Sequence, residues 1–142
     1  MKTYDKGDRI PVRAQQMWLI LTAQAVLKPD GDYEEGAGWS GWGRGIISYG
    51  GLAIQMGMNP KAGVTFSRHL GLLGFYCQQE ELPPLNAIAV NDKTGIPGYG
   101  VVETEGFKKD QKKVWKEPWF SYRPPSIKAL RDVYDKHIAV RD

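Results

Sequence analysis

Hydrophobic positions in this chain recur at helical spacing in three long stretches. Over 11–27, Val12, Met17, Trp18, Leu21 and Ala25 fall on one broad stripe near the 3.6 period, which predicts a first helix. Pro11 suits its first turn, where a missing N–H costs nothing. The cluster Pro29-Asp30-Gly31-Asp32 ends it. Over 60–78, Ala62, Phe66, Leu70, Leu73 and Cys77 follow at steps of 4, 4, 3 and 4, a row that faces a core. Asn59 as cap and Pro60 in the first turn start this helix. Over 126–138, Ile127, Leu130, Val133, Tyr134 and Ile138 share the apolar face of a last helix, entered from Pro124-Pro125-Ser126. A shorter helix over 49–56 is capped by Ser48 and stopped by Gly57, with Tyr49, Leu52, Ala53 and Met56 facing inward.

Between these lie the extended pieces. Leu85 to Asn91 reads as a short buried strand with Ile88 and Val90 on one side. Asp92-Lys93-Thr94-Gly95 makes a turn, Ile96-Pro97-Gly98-Tyr99-Gly100 a tight loop, and Val101-Val102 the start of a second strand. The pattern predicts an α+β fold: a small helical domain with a helix-turn-helix (winged-helix-like) unit and a short β-hairpin. Neither a repeat nor a domain boundary interrupts it. Residues 1–142 are expected to form a single domain, with a winged-helix-like core over 11–105 and a basic-aromatic segment plus C-terminal helix over 106–142.

Composition narrows the class. The chain has 142 residues, 42% of them hydrophobic and 25% charged, which excludes a disordered chain, a collagen-like repeat and a coiled coil. The unusual entries are 17 glycines and 5 tryptophans. Five of the glycines sit in the ten residues GAGWSGWGRG, 36–45, whose backbone entropy predicts a loop. That loop carries Trp39, Trp42 and Arg44. Exposed tryptophans are common interface anchors, so these three are the candidate contacts to a protein partner.

Charge changes the picture only locally. A net charge of +3 falls short of the dense basic footprint of most nucleic-acid binders. Glu80, Glu81, Asp92, Glu103 and Glu105 outweigh Lys93 over 79–105, and Lys108, Lys109, Lys112, Lys113 and Lys116 follow. Such blocks read first as solvated faces. Cys77 is the lone cysteine, so neither an internal disulfide nor a cysteine-based metal site can form. The N-terminus lacks an apolar signal core, and the longest apolar run, Met17 to Leu21, is too short for a bilayer. A cytoplasmic protein without a membrane partner is expected.

The candidate chemistry is binding rather than catalysis. Lys61, Thr65 and Arg68 lie opposite the apolar stripe of the 60–78 helix. In DNA-binding helix pairs that position meets bases or phosphates, while in an ordinary packing unit it is solvated. In 108–123, Lys112 and Lys113 could meet phosphates while Trp115, Trp119 or Phe120 stack on bases. The preferred reading is that these aromatics fold back into a small core. Catalysis by nucleophile and base has little to draw on. Cys77 sits on the core stripe, and only His69 and His137 are present. His69 beside Arg68 reads as a surface histidine, with a phosphate contact as the alternative. The paired glutamates lack a metal-ligating neighbour, and neither a P-loop nor a dinucleotide fingerprint occurs. No catalytic residue, metal or cofactor is expected.

One family resemblance covers residues 12–100. Ile47-Ser48-Tyr49-Gly50-Gly51-Leu52-Ala53, followed by Met56-Gly57, resembles the "tYgelA..lG" segment of O6-alkylguanine-DNA alkyltransferases and their non-catalytic alkyltransferase-like relatives. Ser67-Arg68-His69-Leu70-Gly71 stands where that family has "RaVG", Leu82 to Ala87 where it has "iPCHRV", and Gly95 to Gly100 where it has "G.l.gYggG". The nucleophilic cysteine corresponds to Pro84, and its histidine and arginine neighbours to Leu85 and Asn86. The resemblance therefore implies a platform that has lost alkyl transfer and keeps base flipping. Tyr49 would crowd a backbone phosphate, Arg68 would fill the vacated stack, and Tyr99 would line the pocket. The segment from Leu82 to Gly100 also looks like one in small uncharacterised bacterial and phage proteins. Two functions follow as expectations. One is a non-catalytic, winged-helix-like DNA-binding protein that reads DNA through the helix 60–78. The other is a small interaction protein, of the phage-encoded kind, that grips a host protein through loop 36–45.

Overall fold

The computed structural model describes residues 3, 5–27, 42–43, 45–98 and 106–139. Five α-helices and a three-stranded sheet form an α+β domain. Helix α1 runs Arg9–Ala25, two residues earlier than the apolar stripe predicts. The reason is that a proline is tolerated throughout a helix's first turn, so Pro11 does not fix the first residue. Strand β1, Trp42–Gly43, pairs antiparallel with β2, Ile46–Ser48, in register Trp42↔Ile47 and Gly43↔Ile46. The two strands are therefore joined by residues 44 and 45. Gly45, at φ 81°, supplies the left-handed backbone that so tight a hairpin needs.

Helix α2, Tyr49–Gln55, follows directly, and the Ser48 hydroxyl accepts from the Gly51 amide at 2.9 Å, as its cap position predicts. Gly57, at φ 76°, ends the segment. The Asn59 carboxamide oxygen then caps the next turn by accepting from the Lys61 amide at 2.9 Å. The continuous helix expected over 60–78 is in fact two pieces. A 3-10 helix over Pro60–Thr65 gives way at Phe66 to helix α3, Ser67–Gln79. Gly63 explains the tighter first piece, because it lies hard against the backbone of Tyr49. A Cβ there would sit 2.6 Å from the Tyr49 carbonyl oxygen. The 3-10 geometry brings this glycine into contact with the start of α2.

Of the seven residues expected as a strand over Leu85–Asn91, two are in a strand. Pro84 accepts from the Ala87 amide at 2.9 Å, closing a 3-10 helix over Leu85–Ile88. Only β3, Ala89–Val90, is extended, and it pairs parallel with β2 in register Ile47↔Ala89 and Ser48↔Val90. The crossover between these parallel strands is the run α2, 3-10 helix and α3, since a parallel pair cannot be joined by a tight turn. The second strand expected at Val101-Val102 lies outside the described residues. Helix α4, Phe107–Lys116, and helix α5, Ile127–His137, complete the chain, and the Ser126 hydroxyl caps α5 by accepting from the Ala129 amide at 3.0 Å.

The core joins these elements. Met17, Trp18 and Leu21 of α1 meet Phe66, Leu70, Leu73 and Cys77 around α3 and Leu130 and Val133 of α5. Trp119 folds back into it, 1% exposed, edge-on to Trp18 at 5.5 Å, with its Nε1 donating to the Val114 carbonyl at 2.7 Å. A buried tryptophan needs such a partner for its N–H. Trp115 Nε1 donates to the Gly45 carbonyl at 2.8 Å, and Gln111 Nε2 to Ala87 at 3.0 Å, so α4 packs on the sheet end of the domain. Trp18 also stands edge-on to Tyr76 at 5.6 Å, placing the later half of α1 beside the later half of α3. Among the described residues no helix is long and apolar enough to cross a membrane.

Candidate nucleic-acid interface

Tyr49 organises a cleft among the described residues. As the first residue of α2 it is held by the Ser48 cap, and its side chain reaches across to the loop after β3. There its hydroxyl accepts from the Gly98 amide at 2.6 Å. Burial holds the Tyr49 phenol above its usual pKa, with the Asp92 charge acting in the same direction and the Gly98 donor against it. Asp92 also binds the start of α2, accepting from the Gly50 amide at 3.2 Å. Asn91 shapes the loop by accepting from the Lys93 and Thr94 amides at 2.8 and 3.2 Å, an Asx-type turn. The cleft encloses about 190 Å³ and is lined by Tyr49, Gly63, Val64, Ser67, Leu70 and Asn91. A larger hollow lies between the end of α3 and residues 121–123, with one acidic and one basic lining residue, Glu80 and Arg123.

None of the expected contacts of the 60–78 segment lines this cleft. Lys61, Thr65 and Arg68 are all exposed. The Thr65 hydroxyl donates to the Ala62 carbonyl at 2.7 Å, which spends its proton on the 3-10 turn and leaves only acceptor capacity. Arg68 stands in the first turn of α3, next to the cleft residue Ser67. Lys112 and Lys113 are exposed on α4, a separate element packed on Leu85–Ile88, so they do not extend the Lys61–Arg68 row. Tyr99, Trp39 and Arg44 lie outside the described residues. For Trp42 only the backbone pairing with Ile47 in β1 is described.

His69 corrects the sequence reading. It is buried, 6% exposed, and not a surface histidine. One residue along a helix turns the side chain by about 100°, so exposure of Arg68 says nothing of His69. Its ring packs edge-on to Phe66 at 5.7 Å, and its Nδ1 lacks a hydrogen-bond partner. Burial depresses its pKa to about 4, helped by the charges of Arg13, Arg9 and Arg68 and opposed by the Thr65 backbone. The imidazole is therefore neutral at pH 7.

The positions that the resemblance aligns with a reactive triad are inert. Pro84 is half-buried ahead of a 3-10 turn, and Leu85 and Asn86 are buried. Cys77 is fully buried, and burial pushes its thiol up to about 12, against a contact with the Leu85 backbone. A thiol held that high supplies essentially no thiolate at neutral pH. Among the described residues no group of three or more His, Cys, Asp or Glu side chains could hold a metal ion. No family model, curated protein or solved structure matches the chain.

Proposed function

We propose that this protein binds DNA without acting on it chemically, through the edge formed by Lys61, Thr65 and Arg68 beside the Tyr49 cleft. The observation that carries the reading is Arg68, an exposed residue in the first turn of α3 without an ion pair among the described residues. A cation so placed can reach a phosphate or enter a groove while α3 stays packed on the core. The resemblance to alkyltransferase-like proteins is carried one step further by the cleft, whose apolar wall of Val64 and Leu70 and aromatic wall of Tyr49 suit the face of an unstacked base. In this reading the segment 49–79 acts as the helix-turn-helix unit. The raised thiol pKa of Cys77 supports a non-enzymatic role, and a lone reduced cysteine fits the cytoplasm.

Fluorescence anisotropy with a labelled 20-base-pair duplex tests the reading. Wild type binds, and Arg68→Ala weakens binding and lowers the salt slope by about 0.9, the contribution of one phosphate contact. Absence of binding by wild type at low salt, or an Arg68→Ala variant that binds as wild type does, overturns it.

A further inference from the structure

The hollow at the far end of α3 has two walls. The first follows the end of the helix. Tyr76 and Glu80 are four residues apart and share one face, and Leu82 joins them after the chain turns at Glu81, which takes the left-handed φ of 57°. The Leu82 amide closes that turn by donating to the Cys77 carbonyl at 2.8 Å. The second wall is Tyr122 and Arg123, at the exit of the 3-10 turn Trp119–Ser121. The Tyr122 hydroxyl is tied back by donating to Glu117 Oε1 at 3.0 Å.

Edge-to-face aromatic contacts connect the walls. Tyr76 meets Trp18 at 5.6 Å, Trp18 meets Trp119 at 5.5 Å, and Trp119 meets Tyr122 at 6.3 Å. Both tryptophans are buried, so the two tyrosines of the hollow are held by a packed row of rings. A wall preformed in this way binds a ligand with little further ordering of the protein. The hollow encloses about 370 Å³, at the lower end of the range for small-molecule sites, about 300–1,000 Å³.

Its charges are unspent. Glu80 and Arg123 are exposed, and neither makes an ion pair among the described residues, with each other or elsewhere. A ligand of one sign would be attracted by one of them and repelled by the other. A small ligand that carries both an ammonium and a carboxylate satisfies both. Leu82 and the tyrosine rings make up the apolar lining, which an aromatic body covers.

We propose that this hollow binds a free amino acid with an aromatic side chain, its ammonium toward Glu80, its carboxylate toward Arg123 and its ring against Tyr76, Tyr122 and Leu82. Tyr76 is nine residues along α3 from the cleft residue Ser67, a rise of about 14 Å. The site is thus separate from the Tyr49 cleft and does not rest on the DNA-binding reading.

An NMR titration of the full chain tests the proposal, with L-phenylalanine and three fragments of its chemistry. 3-Phenylpropionate lacks the ammonium, phenethylamine lacks the carboxylate, and L-alanine lacks the ring. L-Phenylalanine should give saturable amide shifts in residues 76–82 and 121–123, none in residues 61–69, and bind more tightly than each fragment. Glu80→Gln should weaken L-phenylalanine and phenethylamine about two- to fivefold, the scale of an exposed ion pair, without weakening 3-phenylpropionate. Arg123→Gln should weaken L-phenylalanine and 3-phenylpropionate by as much, without weakening phenethylamine. Both side chains are exposed, so the variant spectra should otherwise overlay wild type. Absence of saturable shifts at the hollow with L-phenylalanine overturns the proposal, and so does L-alanine binding as tightly. Phenethylamine binding as tightly as L-phenylalanine, with Arg123→Gln silent, makes the hollow a cation site and also overturns it.

Discussion

The Tyr49 hydroxyl accepts a 2.6 Å hydrogen bond from the Gly98 amide, so a side chain at the start of α2 holds the far end of the loop that follows β3. This bond ties the cleft's aromatic wall to the segment just before Tyr99. Tyr49→Phe keeps the ring and removes the acceptor. Its expected cost is about 1 kcal/mol, the net value of one such bond, with faster hydrogen exchange at Gly98 and little change elsewhere. Urea unfolding and amide exchange read both quantities.

Gly63 sits against the other side of the same residue. Gly63→Ala would drive a methyl to 2.6 Å from the Tyr49 carbonyl oxygen and 2.7 Å from its carbonyl carbon. Backbone cannot swing away as a flexible side chain can, so the 3-10 turn and α2 must separate. A loss of about 1–3 kcal/mol is expected, in the range of an overpacked core, together with weaker duplex binding because the cleft edge moves. Stability equal to wild type would show that the contact is not tight.

Asp8 and Arg131 join the first and last helices through a bidentate pair. The hydrogen bond from Arg131 holds the Asp8 carboxyl below its ordinary value of 3.8, with burial opposing. A carboxyl depressed in the folded state contributes stability that is present above the unfolded value and lost as pH falls through the folded one. Asp8→Asn should therefore lower stability at pH 7 and flatten the acid limb below pH 3.8. A double-mutant cycle with Arg131→Met isolates the pair. Additive single effects would show that it contributes nothing.

His69 governs a different window. Its folded pKa of about 4 lies below the ordinary 6.5, so the unfolded chain binds a proton that the folded one refuses. Stability should fall as pH drops from about 6.5 to about 4, with a slope approaching one proton, and flatten below that. His69→Gln should remove this slope. Urea midpoints measured across pH 4–7 check both.

Much of the fold was legible because its signals are local. Ser48 caps the helix it was expected to cap, the last helix starts after Pro124-Pro125-Ser126 as expected, and Phe66, Leu70, Leu73 and Cys77 are buried as their spacing requires. The break at Phe66 was not legible, because a 3-10 turn and an α-helix bury Ala62 and Phe66 alike, and what divides them is the approach of Gly63 to Tyr49. The parallel pairing of Ile47 with Ala89 was hidden for a related reason, since nothing in either tripeptide names its partner. Arg68 could be placed on an exposed face from periodicity alone. His69 was misjudged from its adjacency to Arg68 in sequence, which on a helix is not adjacency in space.

The central claim is that DNA lies across the 3-10 turn Pro60–Thr65 and the first turn of α3. An NMR titration of the labelled protein with a 20-base-pair duplex tests it directly. The account predicts amide shifts concentrated in residues 61–69, with residues 127–137 of α5 unmoved. Shifts confined to α4 or α5, or none at low salt, would contradict it.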